Sequence, residues 1–299
     1  MLISASRRTD IPAFFGEWFM GRIRDGYFDR INPFNSHQVK RISLLPDDVD
    51  AIVFWTKNPK PFLKHLDELD SRGYRYYFQF TLNDYPPEFE PNLPNISARI
   101  DTFKKLSERI GPEKVIWRYD PIIVSSVTPV RYHIETITAM TAELSGYSSR
   151  MMISFLDFYG KIQGRLKELE TKHQISFTDI AAPEHAGQLE QLLEPLVQVA
   201  HMNGFEVLSC AEKLDLEPYD IGHGACIDGQ LLNELFLLEK GYGKDKHQRP
   251  ECLCTEAADM GVYNTCKFIC TYCYAVGSEK RVRETLDKHD PSGASLITK

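Results

Sequence analysis

Short apolar stretches alternate along the chain with longer segments whose apolar positions recur every three or four residues. LISAS (2–6), AIVFW (51–55), YRYYFQFTL (74–82), VIWRY (115–119), MMISFLDF (151–158) and FEVLSC (205–210) are short and rich in β-branched and aromatic residues, and read as strands. Helical spacing follows each. Phe15, Trp18, Phe19 and Ile23 share one face, as do Phe62, Leu63, Leu66 and Leu69, and again Ile100, Phe103, Leu106 and Ile110. Gly111 and Pro112 are stop signals for the third of these helices. Further helices are predicted at about 130–144, 160–171 and 184–203, which makes six strand–helix alternations.

Such alternation calls for a parallel sheet, because parallel neighbours need a long crossover. Polar residues decide between a doubly wound sheet and a barrel. Ser4, Arg7, Arg8 and Asp10 follow the first strand; Thr56, Lys57 and Asn58 the second; Gln79 and Thr81 close the third. Arg118 and Asp120, Ser154 and Asp157, and Cys210 and Glu212 end the remaining three. Every strand contributes, as when a site is built from the loops at the carboxyl mouth of a barrel, whereas a doubly wound sheet gathers such groups at one switch point. The expectation is an α/β fold: a partial (βα)6 TIM-like barrel over residues 1–212, with a Cys-rich extension, 213–299, packed on its mouth. SEKRVRETLDKHD (278–290) interleaves acids and bases and reads as a solvated terminal helix.

Composition narrows the class. With 35 Lys+Arg against 42 Asp+Glu the net charge is −7, and 42% of residues are hydrophobic, so disordered, collagen-like and disulfide-stapled classes are excluded. No apolar run reaches the ~18 residues of a membrane span and the start MLISASRRTD is no signal peptide, so a cytoplasmic protein without membrane partners is expected. Mild acidity speaks against a duplex-binding module. No P-loop or HExxH string occurs, which removes the basis for NTP hydrolysis or zinc proteolysis.

All seven cysteines fall after residue 209: Cys210, Cys226, Cys252, Cys254, Cys266, Cys270 and Cys273. An odd number at short spacing points to metal ligation rather than a disulfide framework. In NTCKFICTYCYA (264–275) the spacing is Cys266-x3-Cys270-x2-Cys273, with Tyr272 before the last cysteine. Three thiolates so spaced can hold three corners of a 4Fe-4S cube and leave one iron without a protein ligand. A tetrahedral zinc site with Cys254 or another cysteine as fourth ligand would use the same residues. Cys210, Cys226, Cys252 and Cys254 equal in number the ligands of a second, fully ligated cluster. Structural zinc, or burial of Cys210 and Cys226 as small apolar side chains, would account for them equally.

The triad resembles the C-x3-C-x2-C signature of the radical S-adenosylmethionine (SAM) superfamily, whose usual scaffold is also a partial six-unit barrel. That resemblance implies cluster ligation by Cys266, Cys270 and Cys273, an adenine contact from Tyr272, and reductive cleavage of SAM to methionine and a 5′-deoxyadenosyl radical that abstracts hydrogen from substrate. A small electron donor such as flavodoxin or ferredoxin goes with that chemistry. The sequence departs from the superfamily in two respects. Its triad follows the sixth strand, not the first, and FWTKNP stands where a Gly-Gly-Glu segment often holds the SAM amino group. Over its length the chain also resembles an uncharacterised prokaryotic family, domain of unknown function 1848, in SRRTDIPAF, FWTKNP, WRYDPI, SFLDFY, SCAE, CIDG and the final cysteine string.

On the substrate side, Arg7, Arg8, Lys57 and Arg118 are cations suited to the SAM carboxylate or an anionic substrate, and Asp10, Asp120, Asp157 and Glu212 are suited to amino and hydroxyl groups. Structural ion pairing explains the same residues. Trp55 and Trp117 could stack on a base or fill the core; His223 and His247 lie near cysteines but read first as solvent-facing loop residues; Tyr274 fits packing around the metal loop. Two functions compete with the radical enzyme: an iron–sulfur electron carrier that does not use SAM, and a zinc-stabilised binding protein.

Overall fold

A computed structural model describes residues 1–32 and 35–298. Eight strands form one sheet: β1 (Leu2–Ala5), β2 (Ala51–Thr56), β3 (Tyr76–Thr81), β4 (Val115–Ile122), β5 (Arg150–Phe155), β6 (Glu206–Cys210), β7 (Gly222–Gly224) and β8 (Ala258–Asp259). Their order is β7-β6-β5-β4-β3-β2-β1-β8, with every pairing parallel. Strands one to seven thus lie side by side in chain order, with no reversal of the kind that creates a switch point. The sheet is open, and both edge strands come from beyond residue 212.

Helices α1 (Ile11–Phe14), α2 (Gly16–Asp25), α3 (Leu66–Ser71), α4 (Ile96–Ile110), α5 (Val130–Leu144), α6 (Gly160–His173) and α7 (Ala186–Met202) lie between the first six strands, and α8 (Gly229–Phe236) and α9 (Glu279–Leu286) follow β7 and β8. Caps fix their ends. Asp10 and Asn95 accept the amides of Ala13 and Ala98 at 2.9 Å, opening α1 and α4. Gly26 closes α2 at φ 76°, a conformation that glycine adopts without strain. A hairpin of Tyr27–Asn32 with Asn35–Ser43 is antiparallel and stands apart from the main sheet; the sequence pattern gave no sign of it.

The sheet is buried on both faces, as parallel sheets are. On one, Ile3, Phe54, Phe78, Trp117 and Ile153 meet the apolar stripes of α2, α4, α5 and α7. Trp117 is fully buried here and donates its indole N–H to Leu82 O at 3.0 Å, so it is a core residue. The alternate residues Leu2, Val53, Tyr77, Ile116 and Met152 point the other way. They are covered by Cys226, Ile227, Leu231, Leu232, Cys252 and Cys254 of the C-terminal extension. That extension is tied down by polar contacts too. Asp259 on β8 accepts hydrogen bonds from Ser4 Oγ (3.0 Å), Ser6 Oγ (2.9 Å) and the Arg7 amide (3.0 Å), which fixes the loop after β1. At Gly261 a Cβ would come within 1.8 Å of Ser6 Oγ, so this approach requires glycine. Among the described residues, no helix is long and apolar enough to cross a membrane.

Candidate functional site

The chain beyond β8 brings the cysteine triad back over the carboxyl ends of β1 to β4. Cys266, Cys270, Cys273, Phe268 and Tyr272 share one cluster with Tyr85 and Phe89 of the loop after β3, Ile123 after β4, and Ile162, Leu166 and Leu169 of α6. Hydrogen bonds seat the loop. The Thr271 amide donates to Phe89 O at 3.0 Å and Asn92 Nδ2 to Lys267 O at 3.0 Å, while Arg165 of α6 reaches Cys270 O (3.3 Å) and Cys273 O (2.6 Å). The triad therefore lies at the end of the sheet that carries the charged loops.

Burial dominates the three thiols. It pushes Cys266 up to about 12, and raises Cys270 and Cys273 as well. Opposing groups are already aimed at the sulfurs: amides of Phe268 and Asp10 at Cys266, amides of Ala275 and Val276 at Cys273, and the Lys57 ammonium near Cys270 and Cys273. A buried thiolate needs such donors or a metal.

Lys57, at the end of β2, joins the triad to the sheet. Its ammonium donates to Glu90 Oε1 at 2.7 Å and to Tyr272 Oη at 2.9 Å, and the Tyr272 hydroxyl donates to the same Glu90 oxygen. Burial works against the ammonium, but Glu90 and Cys270 outweigh it and hold Lys57 above its ordinary value. Asp10 accepts the Lys57 amide at 2.7 Å as well as capping α1, so it ties β1 to β2; its burial raises the carboxyl to about 7. Tyr272 is 8% exposed, packed at 6.0 Å against Tyr85.

Deeper on the same face lies a second group. Arg118 is buried and donates to Asp120, to Gln79 Oε1 at 3.4 Å and to Cys226 Sγ at 2.8 Å. Ser154 completes the Asp120 contacts. Burial would raise Asp120, but Arg118, Ser154 and more distant Lys57 bring it below the ordinary carboxylate range. Trp55 lies between two cations, the Arg118 guanidinium 5.0 Å from its ring and Arg7 5.8 Å. Arg7 also pairs with Asp245 at 3.3 Å. Cys210 and Cys226 touch, Sγ to Sγ 2.7 Å, and Cys254 adjoins both Cys226 and Cys252. All seven cysteines are free thiols, and among the described residues no three Cys, His, Asp or Glu side chains are gathered as closely as the ligands of one ion.

The remaining predicted residues lie at the edges. Glu212 accepts the Phe155 amide at 2.9 Å, and burial, with Asp157 and Asp120 nearby, raises it to about 7. Arg8 stacks on Tyr263 at 5.1 Å, away from the Arg118 group. Asp157 pairs with Arg249 at 2.8 Å. His223 is exposed and bonds Glu251 O at 2.7 Å; His247 is exposed too. Tyr274 donates to Arg7 O at 3.1 Å from an exposed position. Sequence reading missed Glu90, Arg165, Asp245 and Asp259. Glu90 lies in the Pro-rich string DYPPEFEPNLP, which looks like solvated loop, yet it is 4% exposed.

Comparison with known proteins gives one result. The profile of a protein family described as a domain of unknown function (DUF1848) matches residues 2–275. No curated protein and no solved structure matches the chain.

Proposed function

Because the chain belongs to the DUF1848 family, which carries no assigned activity, function must be argued from the site; we propose a radical SAM enzyme whose 4Fe-4S cluster is held by Cys266, Cys270 and Cys273. The observation that carries this reading is the position of the triad: three thiols in one loop, Cys270 buried and Cys266 and Cys273 half-buried, over the carboxyl ends of parallel strands, with amides and the Lys57 ammonium directed at them. We read the six sequential βα units as an incomplete barrel, the scaffold that chemistry commonly uses.

The residues present suit such a cluster. Three soft thiolates leave one iron for an exchangeable ligand. A cluster held by Cys266, Cys270 and Cys273 would, once reduced, supply the single electron for cleaving the sulfonium of SAM. The protein's part is to bind and to exclude water. Among the described residues Glu90 Oε2, which lies 3.8 Å from Arg99 Nη2, and Arg165 Nε are buried without a hydrogen-bond partner; an acceptor and a donor of this kind match the ammonium and carboxylate of an amino acid. Lys57 holds Glu90 and Tyr272 in place and puts positive charge beside Cys270. The Arg118–Asp120–Ser154 group forms the polar floor on which substrate would lie. Electrons would come from a small donor such as flavodoxin or ferredoxin.

Anaerobic reconstitution with iron and sulfide, followed by dithionite reduction in the presence of SAM, tests the reading. Methionine and 5′-deoxyadenosine are expected from the wild type and not from a variant with Cys266, Cys270 and Cys273 changed to Ala. A fully loaded cluster that leaves SAM uncleaved and unbound would reject it and favour the electron carrier.

A further inference from the structure

Two thiols outside the triad are in direct contact. Cys210 ends β6 and Cys226 follows β7, and their sulfurs lie 2.7 Å apart with both cysteines free. The backbone makes this approach. β6 and β7 pair in parallel with Cys210 opposite Gly224, and a Cβ at Gly224 would come within 2.9 Å of Leu208 Cβ and of Met152 Cε. Glycine thus lets the two strands lie close enough for Cys226, two residues further on, to reach Cys210.

The two cysteines are held unequally. Cys226 is 1% exposed and fixed by three hydrogen bonds: its carbonyl accepts the Tyr77 hydroxyl at 2.6 Å and Gln79 Nε2 at 2.9 Å, and its sulfur accepts Arg118 Nη1 at 2.8 Å. Cys210 is half-buried at the end of its strand, so it is the sulfur that a reagent from solvent meets first. Cys254, also beside Cys226, is 2% exposed and accepts the Ile227 amide at 3.4 Å, which leaves Cys210 as the accessible member of the pair.

This arrangement suits thiol–disulfide exchange. A guanidinium donating to a sulfur favours its thiolate, the form that attacks a disulfide. Contact between the sulfurs places the second thiol where it can resolve a mixed disulfide on the first without a bimolecular encounter.

We propose that Cys210 and Cys226 are a redox-active dithiol, converted to a disulfide by low-molecular-weight disulfides and restored by small thiols. In the first step the Cys210 thiolate attacks one sulfur of the small disulfide, whose S–S bond breaks; a mixed disulfide forms on Cys210 and one small thiol leaves. Cys226 then attacks Cys210 Sγ, the mixed disulfide breaks and the second small thiol leaves. The two cysteines together give up two protons and two electrons, and the small disulfide takes them up as two thiols. Oxidation joins the end of β6 to the segment after β7. It also replaces the sulfur that Arg118 holds by a neutral one, so the Arg118–Asp120 group registers the change.

The inference needs no cluster at the triad, and its readout is a map of linked peptides. The full chain, purified anaerobically with its thiols reduced, is incubated with glutathione disulfide; remaining thiols are alkylated in denaturant and the peptides identified by mass spectrometry. One link, Cys210 to Cys226, is expected, with the other five cysteines alkylated and reduced glutathione reversing the link. Cys226→Ser should stop the reaction at its first step, with glutathione retained on Cys210. Cys210→Ser should slow the consumption of glutathione disulfide at least tenfold. Should a variant fail to fold, the wild-type map decides. A link between any other pair, glutathione held on Cys226 in preference to Cys210, or seven free thiols after incubation overturns the proposal.

Discussion

The pair formed by Lys57 and Glu90 is the sharpest test of how the triad loop is held. Glu90 has a side chain 1% exposed and Lys57 16%, with 2.7 Å between charged atoms. At an effective dielectric of about 20 their gross attraction is roughly 6 kcal/mol, most of which offsets desolvation. Lys57→Met removes one partner and leaves a buried carboxylate. Breaking such a pair costs about 3–5 kcal/mol, and the lower end applies here because the Arg99 guanidinium remains 3.8 Å from the other Glu90 oxygen. Lys57→Met/Glu90→Gln removes both charges of the pair, leaves Arg99 on the Pro94 and Asn83 carbonyls, and should recover part of the loss, for a coupling energy of about 2 kcal/mol. Urea midpoints for wild type, both single variants and the double variant, followed by far-UV circular dichroism with unchanged slope, give that cycle. Single effects that add within about 0.5 kcal/mol would show that the two charges do not depend on one another, and would refute this account of the loop.

Further consequences can be measured independently. Glu212, raised to about 7, favours folding in its protonated form, so its contribution is fully present below the unfolded value of about 4.3 and is lost as pH rises through about 7. Glu212→Gln should therefore flatten the fall in stability between about pH 4.5 and pH 7.5, by up to about 3 kcal/mol; a pH–stability curve identical to wild type would contradict this. Gly261→Ala pushes a methyl into Ser6 Oγ and should cost about 1–3 kcal/mol, with part recovered by Ser6→Ala, both read from the melting temperature; an unchanged melting point would contradict the close approach of the two loops. Arg165→Ala removes the donors to the Cys270 and Cys273 carbonyls and should lower the iron retained after reconstitution and desalting several-fold. Retention equal to wild type would show that Arg165 does not hold the loop.

The six main strands and the helices between them were legible because each has a periodicity of its own and enough residues to show it. The sequence also indicated where charge collects: Arg118, Asp120, Ser154 and Lys57 do share one face. What escaped depends on tertiary contact. The edge strands Gly222–Gly224 and Ala258–Asp259 are too short to carry a pattern and exist because β6 and β1 offer open edges. α8 was missed as well, since its leucines make sense only against the sheet face they cover. Glu90 and Asp259 gave no local signal, because an acid in a loop looks solvated until the chain folding over it is known. Proximity of the four deeper cysteines was suggested by their number alone, since spacings as wide as that from Cys226 to Cys252 carry no ligand pattern. The triad could be picked out because its three cysteines are close in sequence.

The central claim is that the Cys266, Cys270 and Cys273 loop holds a cluster with one iron open to SAM. Electron paramagnetic resonance of the anaerobically reconstituted, dithionite-reduced protein, recorded with and without SAM, tests it most directly. The account predicts a reduced-cluster signal that shifts when SAM is added and is absent from the variant with the three cysteines changed to Ala. A signal that SAM leaves unaltered, or one that persists without those cysteines, would contradict it.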